Sequence, residues 1–151
     1  MDTAIIETFH VVGLAIRTTN RNNQAVSDIE FLWERFFDEN ISKLIPNKIG
    51  KDIYGVYTDY DGDHTQTYTT ILGVRVPSLD HVAPGLTART IQRGKYATFT
   101  ARGNINEGVV GKTWNRIWNS PIPRKYTTDF EVYSEKSCVV QDAEVDIFVA
   151  V

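Results

Sequence analysis

Residues 52–58, DIYGVYT, and residues 128–134, TDFEVYS, are similar to each other and indicate that the fold contains an internal repeat. Both stretches are short and rich in β-branched and aromatic residues, which is typical of β-strands. Both also contain the dipeptide Val-Tyr, at 56–57 and at 132–133. Aligned on that dipeptide, Glu131 of the second stretch corresponds to Gly55 of the first.

The same order of elements surrounds each of the two stretches. The sequence predicts strands at 4–17, 52–58, 67–76, 87–102 (with a turn at Arg93-Gly94), 128–134 and 143–151, and helices at about 27–45 and 105–119. The order β-α-β-β therefore occurs twice, which favours an internal duplication over chance similarity of two short strands. We expect one α+β domain over 1–151, with half-repeats at about 1–80 and 81–151. It should have an antiparallel sheet, two helices on one face, and a ligand cleft between pseudo-symmetric halves.

Both predicted helices carry an apolar stripe. In the first helix, Ser27 and Glu30 have the spacing of a capping box, and the pattern ends before Pro46 and Gly50. Its stripe follows the helical period and predicts core positions at Ile29, Leu32, Trp33, Phe36 and Phe37. The stripe of the second helix contains Trp114 and Trp118, which are also core candidates, although one of them could project into a cleft. Gly13, in the first strand, suggests a bulge or bend.

Composition narrows the class of protein. The chain has 151 residues, a formal charge of -3 and no basic run, so direct nucleic-acid binding is not expected. Its single cysteine, Cys138, fits a reducing compartment. A signal peptide and a membrane-spanning segment are not expected either, so the sequence predicts a cytoplasmic protein. We expect no metal and no cofactor, because Asp59–Asp63 lacks the glycine position of a calcium loop.

The strand at 128–134 suggests a binding site. Side chains alternate along a strand, so Phe130 and Val132 point one way while Glu131 and Tyr133 point the other. If Phe130 and Val132 lie under the helices, Glu131 and Tyr133 share the free face of the sheet, and Gly55, the equivalent position in the first half, supplies room. Tyr57 would add a second ring. A carboxylate among aromatic rings suits an organic cation; the alternative is that Glu131 is a solvated residue paired with a nearby Lys or Arg.

Several stretches also resemble the GyrI-like family, the effector-binding domains of AraC-type and multidrug-responsive regulators. The likeness lies in Arg93-Gly94-Lys95-Tyr96-Ala97, Ala101-Arg102-Gly103, Asp129–Tyr133 and Glu144–Val151, and it extends over essentially the whole chain. The resemblance implies a duplicated βαββ fold and an aromatic-lined cleft whose buried acid pairs with cationic ligands. That acid falls on Glu131.

The resemblance implies a binding protein rather than an enzyme, with an amphipathic, cationic small molecule as its ligand. Tyr133 and Tyr57 would form walls, and Trp114 or Trp118 a lid. A separate partner protein would have to supply any DNA-binding domain. Two other functions stay open: hydrolysis of a small reactive molecule, with Glu131 as general base, and a protein-interaction role such as gyrase inhibition.

Overall fold

A single curled antiparallel sheet of eight strands forms the frame of the protein, and two α-helices cover one of its faces. The computed structural model describes all residues from 1 to 151. The strands are β1 (Thr3–Ile6), β2 (Phe9–Thr19), β3 (Ile53–Thr58), β4 (Thr67–Val76), β5 (Thr87–Ile91), β6 (Gly94–Gly103), β7 (Thr128–Tyr133) and β8 (Ala143–Ala150), and the helices are α1 (Gln24–Asp38) and α2 (Val109–Trp118). The predicted α+β class is confirmed, and the order of elements repeats, but each helix is preceded by two strands rather than by one. Neither helix is long and apolar enough to cross a membrane.

The two halves exchange their edge strands. The order across the sheet is β1-β6-β8-β7-β3-β4-β2-β5. β1, from the first half, pairs with β6 of the second, while β5, from the second half, pairs with β2 of the first. In the middle, β3 pairs with β7, and Gly55 lies directly opposite Glu131. The pseudo-symmetric halves therefore meet at the two strands that carry the repeated Val-Tyr.

Each helix packs on its own part of the helix face. Leu32 and Phe36 of α1 join a cluster with apolar residues of β2 and β4 such as Val74. Trp114 and Ile117 of α2 join a second cluster with residues of β6 and β8. Burying a side chain of this size contributes about 1.5–3 kcal/mol to stability. The helices are thus fixed at the two sides of the face, and the central strands lie between them.

On the opposite face of the sheet, side chains from strands that are not neighbours pack against one another. Phe9 of β2 lies with its ring centroid 5.1 Å from that of Phe130 in β7, although β4 and β3 stand between these strands. Tyr96 of β6 reaches the same ring at 5.4 Å across β8. Since neighbouring strands are about 4.8 Å apart, these contacts require a strongly curled sheet.

Several local predictions are wrong. The predicted strand 4–17 is two strands, and β2 pairs with β4 without interruption at Gly13, so no bulge is present. Instead, Gly13 faces Gly73 where the backbones come close, and a Cβ at Gly13 would meet the Leu72 carbonyl oxygen. The second helix begins only at Val109, because Gly108 has a left-handed φ of 76° and separates it from the 3-10 turn Ile105–Glu107.

The first helix also differs from its prediction at both ends. It begins at Gln24, after Asn22 and Asn23 in left-handed conformations, so Ser27 lies inside the helix and the capping box is absent. It ends at Asp38, and the 3-10 turn Ile41–Leu44 follows. Phe37 was expected in the core, but it is 59% exposed, and its ring packs on the rings of Trp33 and Phe36 of the same helix.

Candidate functional site

A cleft of about 260 Å³ opens between α1 and α2 over the central strands β3 and β7. Its position follows from the fold, since each helix covers only its own outer part of the sheet. Most of its lining is apolar or aromatic. The lining residues are Asn20, Ala25, Val26, Ile29, Tyr57, Tyr60, His64, Tyr68, Val110, Gly111, Trp114, Trp118, Arg124, Glu131 and Tyr133.

Glu131 forms the acidic floor of the cleft and is held by three donors. The Tyr57 hydroxyl donates to Oε2 at 2.9 Å and the Tyr133 hydroxyl donates to Oε1 at 2.8 Å. The indole N–H of Trp114 also donates to Oε2. The residue is only 2% exposed, so the alternative of a solvated strand residue is wrong. A carboxylate can accept about four hydrogen bonds, so three donors leave room for one more partner.

Glu131 has no cationic partner. Burial raises the pKa of its carboxyl, and the hydrogen bonds from Trp114, Tyr133 and Tyr57 act in the opposite direction. Burial also lowers the pKa of His64, which favours a neutral imidazole. An uncompensated buried carboxylate is costly unless it is well hydrogen-bonded, so the three donors explain how the fold tolerates it.

The one arginine in the cleft wall is already neutralised. Arg124 Nη2 donates to Asp129 Oδ2 at 2.7 Å, and the two side chains are 4% and 0% exposed. Asp129 also accepts from the Tyr60 hydroxyl at 2.7 Å and from the Ala150 backbone N–H at 2.9 Å. With this pair balanced, the negative charge of the cleft is that of Glu131.

Aromatic rings form the walls around the carboxylate. Tyr57 meets Trp114 edge to face at a centroid distance of 5.4 Å and Tyr68 at 5.9 Å. At the outer end, His64 stacks on Trp118 with an interplanar angle of 8°. Such contacts orient ring faces and rigidify the walls before any ligand arrives.

Gly55 provides the space that the carboxylate occupies. A Cβ at this position would stand 2.9 Å from Glu131 Oε1, closer than Cβ atoms come to their neighbours in proteins. Since three hydrogen bonds fix the carboxylate, it could not move aside freely. The pairing of an acid in one half with a glycine in the other is therefore a geometric requirement of this site.

The structure brings the sequence-predicted site residues together. Glu131, Tyr133, Tyr57, Trp114 and Trp118 line the cleft, and Gly55 lies beside it. The predicted face of the sheet was wrong, however. Phe130 packs on the face opposite the helices, and Glu131 lies on the helix face. The cleft exists there because the two helices stand apart.

Sequence reasoning missed several cleft residues. Tyr60 and His64 come from the hairpin connection between β3 and β4, which was read only as a turn, and Arg124 comes from an irregular segment after α2. Ile29 was predicted as core but lines the cleft. The alternation of Tyr68 with Thr70 and Leu72 was the one signal that could have placed it on the Glu131 side.

Asp59 and Asp61, at the candidate calcium loop, are both paired with arginines. Arg89 binds Asp59 and Arg17 binds Asp61, each at 2.9 Å. No group of three or more His, Cys, Asp or Glu side chains is placed to hold a metal ion.

Comparison with known proteins places this chain among effector-binding proteins. The family described as integron-associated effector binding protein, Cass2, matches residues 5–151. YobU of Bacillus subtilis (strain 168), named as a candidate transcriptional regulator, is 31% identical over 144 residues, which are 92% of this chain and 89% of YobU. An integron cassette protein from Vibrio cholerae is 32% identical, with a TM-score of 0.77 over 99% of this chain and 94% of that one.

The fold is also shared with more distant structures. The structure of SAV2435 bound to tetraphenylphosphonium is 18% identical, with a TM-score of 0.79, and the match covers 99% of this chain and 92% of that chain. At this identity the likeness shows the fold alone. The GyrI-like resemblance predicted from the sequence is confirmed.

Proposed function

This chain belongs to the Cass2 family of integron-associated effector binding proteins, a GyrI-like family, and on that premise we propose that it binds amphipathic organic cations in the cleft between α1 and α2. The proposal rests above all on one observation. Glu131 is a buried carboxylate with hydrogen-bond donors around it but no positive charge beside it.

The site favours a cation on both electrostatic and desolvation grounds. A ligand cation would supply the missing counter-charge in a place where water is largely excluded, so the attraction would be stronger than at the surface. The rings of Tyr57, Tyr133 and Trp114 would each add about 0.5–2 kcal/mol if the cation lies over their faces. An anion of the same size would meet the carboxylate directly and be rejected.

The apolar lining sets the second property of the ligand. Ile29 and Val110 face the cleft from the two helices, opposite the tyrosines of the sheet. A strongly hydrated cation such as an ammonium ion would lose its water there without apolar contacts in return. The ligand should therefore spread its charge over an apolar body, as tetraphenylphosphonium does in the structure of SAV2435.

We propose that the cleft binds its ligand without converting it. All three groups close to the Glu131 carboxylate donate hydrogen bonds to it, which stabilises the anion as a charge partner for a bound cation. We also propose that any effect of the protein on transcription is exerted through a partner protein that carries a DNA-binding domain. When the protein is incubated with the cation for hours, mass spectrometry of the cation should show no change in its mass.

The first experiment is a titration followed by tryptophan fluorescence, since Trp114 touches Glu131. Tetraphenylphosphonium is compared with triphenylphosphine oxide, a neutral molecule with similar rings. We expect Glu131→Gln to weaken binding of the cation at least about tenfold, or about 1.4 kcal/mol, and to leave binding of the neutral molecule nearly unchanged. Glu34→Gln, at an exposed glutamate of α1, is the matched control. Equal weakening of both molecules would contradict the charge-pairing role of Glu131.

A further inference from the structure

A second cavity adjoins the cleft on its α1 side. This groove has a volume of about 1260 Å³ and runs between α1 and the two segments 105–110 and 133–140. The groove and the cleft have four lining residues in common: Val26, Ile29, Val110 and Tyr133. The two spaces are therefore neighbours that have these four side chains as common walls.

Tyr133 stands where the two spaces meet. Its hydroxyl donates to Glu131 Oε1 at 2.8 Å, while its ring meets the Trp33 ring edge to face at a centroid distance of 4.8 Å. Trp33 in turn stacks on Phe37 at 5.9 Å. A row of rings thus leads from the carboxylate to the outer part of the groove.

The groove exposes apolar side chains that the fold does not use. Phe37 is 59% exposed, Val26 66% and Val140 38%. Exposed apolar side chains gathered along one cavity usually mark a binding surface. The charges nearest to them are mixed, and Lys136, on the rim, is already bound to Asp146 at 3.1 Å. Lys51 also lines the groove, together with the acidic Glu30, Asp52 and Glu135, so the lining carries no excess of positive charge.

We propose that this groove is a second subsite, which takes an uncharged apolar arm of the same ligand whose cationic centre lies at Glu131. This inference rests on the proposed function and narrows its ligand class to cations that carry a long apolar substituent. The occupant is an arm of the ligand rather than a protein, because the groove shares four lining residues with the cleft and a row of rings from Tyr133 to Phe37 joins the two spaces.

The test is a calorimetric titration with methyl-, butyl- and octyltriphenylphosphonium. Each methylene that enters the groove should tighten binding by up to about fourfold, so we expect the octyl ion to bind far more tightly than the methyl ion. The double variant Phe37→Ser/Val140→Ser should lose most of this gain and bind the methyl ion as before. Phe31→Ser, which removes an equally exposed ring from α1 outside the groove, should keep the gain.

The outcomes separate the two proposals. If the methyl ion binds but affinity does not rise with chain length, the groove subsite is wrong and the cleft stands. The gain in affinity with chain length is compared in the unaltered protein, the double variant and Phe31→Ser. If the gain is the same in all three, or if Phe31→Ser loses as much of it as the double variant, the arm does not lie in the groove and the subsite is also wrong. If no member of the series binds to the folded protein, the proposed function itself is wrong.

Discussion

Arg124 and Asp129 form a buried ion pair at the edge of the cleft, with Nη2 2.7 Å from Oδ2 and both side chains almost fully excluded from solvent. The guanidinium lies 5.8 Å from the ring centre of Trp114, the residue whose indole binds Glu131. The negative charge of Asp129 therefore offsets that of Arg124, so that Arg124 does not cancel the charge of Glu131.

Replacing Asp129 by Asn should destabilise the protein and weaken cation binding together. Arg124 would remain buried without its counter-charge, which typically costs about 3–5 kcal/mol of unfolding free energy. Its uncompensated charge would also oppose a cation in the cleft. Urea unfolding and a tetraphenylphosphonium titration measure the two effects.

The double variant Arg124→Met/Asp129→Asn provides the control, because it removes both charges and keeps similar volumes. We expect it to recover most of the lost stability, and to recover cation affinity as well. A double variant as unstable as Asp129→Asn alone would show that the hydrogen bonds of Asp129 to Tyr60 and Ala150, rather than its charge, are what matter.

Adding a methyl group at Gly55 should disturb the site specifically. The new Cβ would stand 2.9 Å from Glu131 Oε1, so the carboxylate must move and weaken its bonds to Tyr57 and Tyr133. We expect Gly55→Ala to lower stability by about 1–3 kcal/mol, typical of overpacking, and to weaken cation binding. Gly94→Ala is the control, because its Cβ would make only an ordinary contact at 3.7 Å. Unchanged affinity in Gly55→Ala would mean that the carboxylate can move aside without loss.

Cation binding should depend on pH through Glu131. Burial raises the pKa of this carboxyl above its usual 4.5. The anion therefore predominates only when the pH exceeds this raised pKa. A permanently charged ligand should therefore bind more tightly as pH rises through the raised pKa, whereas Glu131→Gln should show a flat profile over the same interval. An unchanged slope in the variant would assign the pH dependence to another group.

Stability should change in the opposite direction. A carboxyl whose pKa is higher in the folded than in the unfolded protein favours folding below the unfolded pKa, and this contribution is lost as pH rises through the folded pKa. The unfolding free energy of the ligand-free protein, minus that of Glu131→Gln, should therefore decrease with rising pH. Ligand binding and the stability of the ligand-free protein then respond to pH in opposite directions at the same residue. A difference that rose with pH would show that the three hydrogen bonds lower the pKa of Glu131 more than burial raises it.

Local sequence patterns were sufficient to predict most of the helices and strands and to select Glu131 as the candidate acid. The alternation in β7 separated Glu131 from Phe130, and the repeated Val-Tyr matched Gly55 with Glu131 as equivalent positions, since both inferences depend on residues that are neighbours in the sequence. The face of the sheet could not be read, because it depends on how α1 and α2 spread apart. Two features could not be predicted in this way: the exchange of β1 and β5 between the halves, and the ion pair of Arg124 with Asp129. Both depend on which segments meet in the folded chain, and the local sequence of a segment does not indicate its partner.

The opposition of Gly55 and Glu131 in the central strand pair has a consequence for the origin of the site. In a symmetric homodimer of one half-repeat, the residue at this position would face its own copy. Two glycines would leave no charge, and two glutamates would place like charges against each other, so that one would stay protonated near neutral pH. A chain that contains both halves can carry a different residue at each of the two positions, so it can place one carboxylate where a symmetric homodimer would have two or none.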